Sequence, residues 1–232
     1  MTDTTDRTDA RVLDATRTLA QIVTEAPSSV RVLQAFGLDY CCHGARPLAT
    51  ACADAGLSSD EVLAALATVH DDVTPDWASM SPAELVDHLE SVHHAYLHAE
   101  LPRLDALAEK VAGVHGRHHP ELLDVLADVK DLRDDLEPHL MKEERVLFPA
   151  IRQHVPGDRL AAPISVMLAE HDTTGALLVR LQRSARDFAL PEDACGSYRA
   201  LYDGLDELVR DTFLHVHKEN NVLFPAVLAS SS

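Results

Sequence analysis

Apolar residues recur three or four positions apart through most of this chain, and proline or glycine interrupts the pattern at intervals. This spacing predicts helices with one apolar face. Between residues 81 and 229 it predicts four long ones, running from Ser81 to about Val111, from Pro120 to Pro149, from Pro163 to about Phe188, and from Cys195 to Pro225. No segment alternates apolar and polar residues long enough to predict a pair of strands. The sequence therefore predicts an all-α fold, whose larger domain is an antiparallel four-helix bundle.

Residues 11–70 predict a separate, smaller helical domain. Four short helices are expected there, and Ser58-Ser-Asp-Glu61 shows the serine-then-glutamate pattern of a capping box before the last of them. Asp39-Tyr-Cys41-Cys42-His43-Gly44 joins the second and third helices. Residues 1–10 are polar and acidic, which predicts a disordered tail, and residues 71–80 lose the periodicity, which predicts a linker.

Charge and composition exclude several classes of partner. The 20 lysines and arginines are outnumbered by 38 aspartates and glutamates, and the net charge of −18 repels nucleic acid and anionic membranes. The first ten residues lack the apolar core of a signal peptide, and no apolar run approaches the ~20 residues that span a bilayer. We therefore expect a cytoplasmic protein. Its four cysteines are too few for a disulfide framework in a chain of this length, so reduced thiols are expected.

Candidate chemistry lies in a duplicated segment. His139 precedes Glu143 by four residues, His215 precedes Glu219 by four, and Val-Leu-Phe-Pro-Ala follows both pairs. The two copies are 76 residues apart. Residues four apart share one helix face, so each pair can direct an imidazole and a carboxylate at the same point. A single pair of this kind would be interpreted as a surface ion pair; two copies favour metal binding.

The duplication extends to the other two bundle helices. Residues 94–104 and 171–181 align without a gap at an offset of 77, which adds His94 and His171. Two similar hairpins then bring together His94, His139, Glu143, His171, His215 and Glu219. Imidazole binds iron, zinc, copper and manganese, but bridging glutamates in a helical bundle are typical of paired iron or manganese. We expect two metal ions, each with two histidines and with both glutamates as bridges.

Three acidic residues are candidates for orienting the ligands or relaying protons. Asp135 and Asp211 each lie one turn before a ligand pair, and Glu170 is next to His171. The alternative is that they are ordinary solvated acids. His98, four residues after His94, is left open as an additional ligand or pocket residue. His88, His93 and His217 are expected on other helix faces.

With these six residues, the predicted bundle resembles that of haemerythrin-like proteins. From about Leu19 to Ala229, including Asp39-Tyr40-Cys41-Cys42, the chain resembles the di-iron proteins that repair iron-sulfur clusters. The resemblance implies two non-haem iron ions, oxo- or hydroxo-bridged, on the six residues named above. It also implies repair of clusters damaged by nitric oxide or oxidative stress, by iron donation or by binding and reduction of nitric oxide. The partners would be damaged iron-sulfur proteins and nitric oxide or oxygen. The alternative is an oxygen or nitric oxide binding module without turnover.

The adjacent thiols of Cys41 and Cys42 are the remaining candidates for catalysis. A disulfide between neighbouring cysteines strains the intervening peptide, so a thiol site is expected that delivers electrons, holds iron or forms a mixed disulfide. Packing of a helix junction is the alternative. Where the family often has Cys-Cys-Gly-Gly, this chain has Cys-Cys-His43-Gly44. Cys52 and Cys195 are expected to be structural. The sequence leaves open a homodimer, the reductant and the choice between enzymatic nitric oxide reduction and iron donation.

Overall fold

The computed structural model describes residues 14–69 and 76–230, which belong to two compact units divided between residues 74 and 75. Within the described residues the secondary structure is helical, apart from one isolated bridge between Thr18 and Pro47. The prediction of an all-α protein is therefore confirmed. The predicted tail, residues 1–10, and most of the predicted linker lie outside the described residues, so both stay predictions.

The first unit contains four short helices and a 3-10 turn. They are α1 (Leu19–Glu25), the 3-10 turn Pro27–Ser29, α2 (Val30–Ala35), α3 (Leu48–Ala55) and α4 (Ser59–Leu66). Thr18 caps α1 in a reciprocal capping box with Gln21. The capping box predicted at Ser58 is wrong, because the Ser58 side chain makes no capping hydrogen bond. The start of α4 instead carries two carboxylates in its first turn, which interact favourably with the helix dipole.

The segment between α2 and α3 is packed into the core of this unit. Leu38 and Tyr40 are buried there with Leu33 and Leu48, and Cys41 is also buried. Burial of these side chains anchors a connection that would otherwise be a surface loop. The Cys41-Cys42 pair is thereby held at a fixed place on the unit.

The second unit is a four-helix bundle preceded by the 3-10 turn Asp76–Ser79. Its helices are α5 (Pro82–Leu89, the π turn Glu90–His94, and Ala95–His115), α6 (Glu121–Lys142, the π turn Glu143–Leu147, and Phe148–Arg152), α7 (Gly157–Ser184) and α8 (Gly196–Lys218, the π turn Glu219–Leu223, and Phe224–Ala229). Helix α6 packs against α5 and α7, and α8 packs against the same two helices, which closes the bundle. The capping box predicted at Ser81 and Glu84 is present at the start of α5.

Proline does not end these helices where the sequence predicted. Helix α7 begins at Gly157 and has Pro163 in its interior, while α6 and α8 continue past Pro149 and Pro225. In α6 and α8 the proline is the second residue after a π turn. The π turn shifts the backbone hydrogen-bond register and so accommodates a residue without a backbone N–H. The helix therefore continues past the proline.

An apolar cluster fills one end of the bundle. It consists of Trp77, Leu85, Val86, Leu89, Leu147, Phe148, Ile151, Leu160, Ile164, Met167, Leu223, Phe224 and Val227. The Leu-Phe of both Val-Leu-Phe-Pro-Ala copies belongs to it. In the described part of the chain, no helix combines the length and the hydropathy needed to span a bilayer.

Candidate metal centre

The six predicted metal ligands meet inside the bundle. His94 ends the π turn of α5, His171 lies in α7, and α6 and α8 each contribute the last turn of α-helix and the first residue of a π turn. Each of the six side chains is at most 2% exposed. Residues that are 125 positions apart in sequence thus share one closed interior site.

The six side chains form two groups of four. His94 and His215 belong to one group, His139 and His171 to the other, and Glu143 and Glu219 belong to both. Within each group the ligand atoms lie within 4.8 Å of one another. The Nε2 atoms of His94 and His215 are 3.2 Å apart, and those of His139 and His171 are 3.1 Å apart. Each group therefore offers two imidazole nitrogens and two carboxylates to one ion.

Both glutamates lie between the groups. Glu219 Oε1 is 3.0 Å from His215 Nε2, and its Oε2 is 3.1 Å from His171 Nε2. Glu143 Oε2 is 3.4 Å from His139 Nε2 and 3.5 Å from His94 Nε2. Each carboxylate thus contacts one histidine of each group, which is the arrangement that bridging ligands need.

The burial of Glu143 is the observation that best fits a bound cation. Both of its carboxylate oxygens are buried and accept no hydrogen bond from the described residues. A buried carboxylate whose oxygens accept no hydrogen bond is costly, and metal coordination is one of the ways in which proteins compensate this cost. A set of four imidazoles and two such carboxylates fits a pair of transition-metal ions.

Three of the four imidazoles are oriented by an acceptor on the opposite ring nitrogen. His94 Nδ1 lies 3.0 Å from Glu144 Oε1, and His171 Nδ1 lies 2.7 Å from Asn220 Oδ1. His139 Nδ1 lies 2.9 Å from Glu170 Oε2. An acceptor at Nδ1 keeps the proton there and leaves the Nε2 lone pair for a metal.

The fourth imidazole, His215, is supported differently. Its Nδ1 is buried without a hydrogen bond among the described residues, and the ring of His93 stacks on it at 5.3 Å, nearly parallel. The prediction that His93 faces away from the site was wrong. Its π turn brings consecutive residues closer in angle than an α-helix does, so both His93 and His94 are buried. His217, also predicted on another face, is buried beside Trp77.

The three predicted acids have different contacts. Glu170 binds His139 and forms an ion pair with Lys142. Asp135 accepts a hydrogen bond from Thr174 Oγ1 at 2.6 Å, and Asp211 lies 2.8 Å from His93 Nδ1. Among the described residues no hydrogen bond joins Asp135 to His139 or Asp211 to His215; Glu170 is the acceptor at His139 Nδ1, and Asp211 contacts His93. His98 is about half exposed and bonds to Glu144 instead of entering the site.

A buried lysine lies beside the His215 half of the site. Lys218 Nζ is 2.7 Å from His93 Nε2 and 2.8 Å from His88 Nε2, and it lies over the ring of Trp77. Burial lowers the pKa of Lys218 to about 8 and raises that of Asp211 to about 6. Burial and the nearby Lys218 charge lower the pKa of His93 to about 2. Lys142, the equivalent of Lys218 in the repeat, is exposed, and the repeat does not predict this difference.

The metal-free protein should lose stability as the pH rises. Burial opposes protonation of His139, but attraction to Glu143 and the hydrogen bond with Glu170 raise its pKa to about 10. A raised pKa contributes stability below the unfolded value of ~6.5, and this stability is lost as the pH rises towards 10. Urea unfolding of the metal-free protein across this interval should therefore show a falling free energy of unfolding.

The matched control is metal-free His139→Gln, in which the fall should be smaller. A free energy of unfolding that rises equally in both proteins between pH 6.5 and 10 would contradict the assignment. The metal-loaded protein should not show the His139 contribution, because a coordinated imidazole is already neutral.

In the first unit, Cys41, Cys42 and Asp39 form a second cluster of possible ligands. The Sγ atoms of Cys41 and Cys42 are 3.6 Å apart, and the Cys41 thiol donates to Asp39 Oδ1 at 3.2 Å. The hydrogen bond with Cys42, burial and the Asp39 charge raise the pKa of Cys41 well above its ordinary value. Cys52 is buried, whereas Cys195 is exposed and lies 3.1 Å from His115 Nε2.

A bundle that surrounds four histidines and two shared glutamates defines a haemerythrin-type metal protein. Residues 85–227 match the Hemerythrin HHE cation binding domain, and residues 15–70 match a Domain of Unknown function, DUF542. The Iron-sulfur cluster repair protein YtfE of Escherichia coli O157:H7 is 35% identical over 212 residues, which is 91% of this chain and 96% of that protein. The protein of the same name from Escherichia fergusonii gives the same values. The chain therefore belongs to the haemerythrin HHE family and, within it, to the iron-sulfur cluster repair proteins, as the sequence resemblance indicated.

Proposed function

We propose that this protein repairs iron-sulfur clusters damaged by nitric oxide or oxidative stress, and that its bundle holds two iron ions. The observation that carries the proposal is the position of Glu143 and Glu219, each between one histidine of either group. Relatives that cover almost the whole chain bear the name of iron-sulfur cluster repair proteins. Bridging glutamates in a helical bundle favour iron or manganese, and the repair of iron-sulfur clusters favours iron.

The residues of the site have separate roles in this proposal. His94, His139, His171 and His215 hold the ions, and the two glutamates bridge them. Glu144, Glu170 and Asn220 keep the Nδ1 protons of three imidazoles in place. When bound, the iron pair supplies redox chemistry and a position for a small ligand such as nitric oxide or oxygen.

The thiols of Cys41 and Cys42 complete the proposal for repair. We propose that they pass electrons or form mixed disulfides during repair, because Cys42 is partly exposed and neither cysteine is in a disulfide. Damaged iron-sulfur proteins are the proposed partners. The proposal includes both iron donation and nitric oxide reduction. It also includes a cytoplasmic location and a homodimer.

Restoration of a nitric-oxide-damaged iron-sulfur enzyme tests this function. The intact, iron-loaded chain should restore its activity, whereas His139→Ala and His215→Ala should each lose iron and fail to restore it. His118→Ala is the matched control, because this exposed histidine lies outside the centre and should keep both iron and repair activity. Equal iron content in all three variants would count against the metal centre.

Two further results separate the alternatives. A double serine variant of Cys41 and Cys42 that keeps its iron should repair poorly, because the thiols take part in repair. Reversible oxygen or nitric oxide binding by an iron-loaded chain that restores no enzyme would overturn the repair function. That outcome would favour a binding or sensing module without turnover.

A further inference from the structure

Outside the bundle, one turn of the first unit brings together three metal-binding side chains. Asp39, Cys41 and Cys42 lie within four consecutive positions, and one ligand atom from each lies within 4.8 Å of the others. We propose that these three residues bind one thiophilic divalent cation, of the class of Fe²⁺ and Zn²⁺, separately from the two ions in the bundle. The binding of this cation does not depend on the repair function.

The separation of the two thiols fits a shared ion. A tetrahedral site with metal–sulfur bonds of ~2.3 Å places two sulfurs about 3.8 Å apart. The Sγ atoms of Cys41 and Cys42 are 3.6 Å apart, close to this value and far from the ~2.05 Å of a disulfide. The side chains are therefore placed to hold one ion between them.

The carboxylate of Asp39 is already fixed in position. Its Oδ1 accepts hydrogen bonds from the backbone N–H groups of Cys41 at 3.1 Å and Cys42 at 2.9 Å. Its Oδ2 lies 2.5 Å from His43 Nδ1. An ordered ligand loses little conformational freedom on binding, and an imidazole hydrogen-bonded to a ligating carboxylate is a usual outer partner. His43, which replaces a glycine common in the family, thus supports Asp39.

The chemistry of the donors limits the cation. Thiolates select zinc, iron and other thiophilic ions over magnesium and calcium, which prefer oxygen ligands. Three protein donors leave a fourth tetrahedral position, and the partial exposure of Asp39 and Cys42 opens the site to solvent. On binding, the cation displaces one proton from each thiol, and both protons pass to solvent. An open site of this kind can exchange its ion with another protein.

Cobalt(II) added to the fully reduced, metal-free full-length chain tests the proposal. Sulfur-to-cobalt charge-transfer absorption in the near ultraviolet reports thiolate ligands, whereas the bundle ligands provide only nitrogen and oxygen. The intact chain should show this absorption. It should disappear in Cys42→Ser, and Asp39→Asn should weaken binding while it keeps the Oδ1 acceptor that orders the turn. His43→Gly should lower cobalt affinity by about 10-fold to 100-fold, the usual cost of losing an outer partner.

The controls distinguish this site from the bundle and from other thiols. Cys52→Ser and Cys195→Ser should keep the absorption, and so should Glu143→Gln, in which the bundle site is disabled. Circular dichroism verifies that each variant is folded. Lack of the absorption in the reduced intact chain, or its persistence in Cys42→Ser, would overturn the proposal. Neither result would affect the proposed repair function, which is measured by enzyme restoration.

Discussion

Glu143→Gln is expected to abolish the retention of both metal ions that we propose for the bundle. Glu143 lies in both groups of ligands, and its carboxylate is completely buried. Glutamine keeps the size of the side chain but removes the negative charge and one of the two anionic oxygens. Both positions should therefore lose a ligand at the same time. Elemental analysis after reconstitution and desalting measures this loss.

The variant should remain folded, because the substitution relieves a buried charge when no cation is bound. Glu137→Gln is the matched control: this glutamate is on the same helix, six residues earlier, and is exposed. It should keep the full metal content. A Glu143→Gln protein that retains as much metal as the control would contradict the bridging role.

Phe148→Ala should cause the largest loss of stability among single substitutions near the centre. Phe148 is completely buried, belongs to the apolar cluster and stacks on the ring of His94 with centroids 5.2 Å apart. Truncation of a buried phenylalanine costs about 3–5 kcal/mol. The free energy of unfolding of the metal-free protein in urea should fall by this amount.

Val146→Ala is the control, two residues earlier in the π turn Glu143–Leu147. Val146 is 63% exposed, so its truncation should change the free energy of unfolding by less than about 0.5 kcal/mol. A similar small change for Phe148→Ala would show that this end of the bundle is not part of the cooperative core. Phe224 stacks on His171 in the other half, which suggests that each Phe of the repeat supports one ligand.

The six candidate ligands can be predicted from the sequence because the chain contains an internal repeat, whose two copies can be compared. One His-x3-Glu has an ordinary explanation, but two copies with the same flanking residues, and two histidines at a matching offset, do not. Helical periodicity was enough to place each pair on one face. The structure brings all six into one site, as the repeat predicted, and their role as ligands stays a prediction.

The neighbours of the ligands were not predictable in the same way. Periodicity in the sequence assumes a regular α-helix, whereas the ligand segments of α5, α6 and α8 are π turns. In a π turn, adjacent residues can face the same neighbour, as Glu143 and Glu144 do. Regular periodicity therefore does not predict the contacts of Glu144, Asn220 and His93, and it wrongly predicts helix ends at Pro149 and Pro225.

The side-chain contacts in the first unit could not be predicted from the sequence either. The role of Asp39 depends on a turn in which the backbone N–H groups of Cys41 and Cys42 donate to one of its carboxylate oxygens. Such turns have no periodicity to detect. The contact between the ring of His43 and Asp39 is likewise not predicted by the sequence.

The four imidazoles are supported unequally, so the two proposed ions should be bound with different affinities. The ion between His139 and His171 would be held by two rings with Nδ1 acceptors, whereas His215 has a stacked His93 and a nearby Lys218 instead. Ligands without such an acceptor are weaker donors, and a buried cation repels a metal. Loading and release should follow a fixed order, with the ion at His94 and His215 entering last and leaving first. The fully loaded protein could then give up one iron without emptying the centre, and the half-loaded protein would be a defined state in its own right.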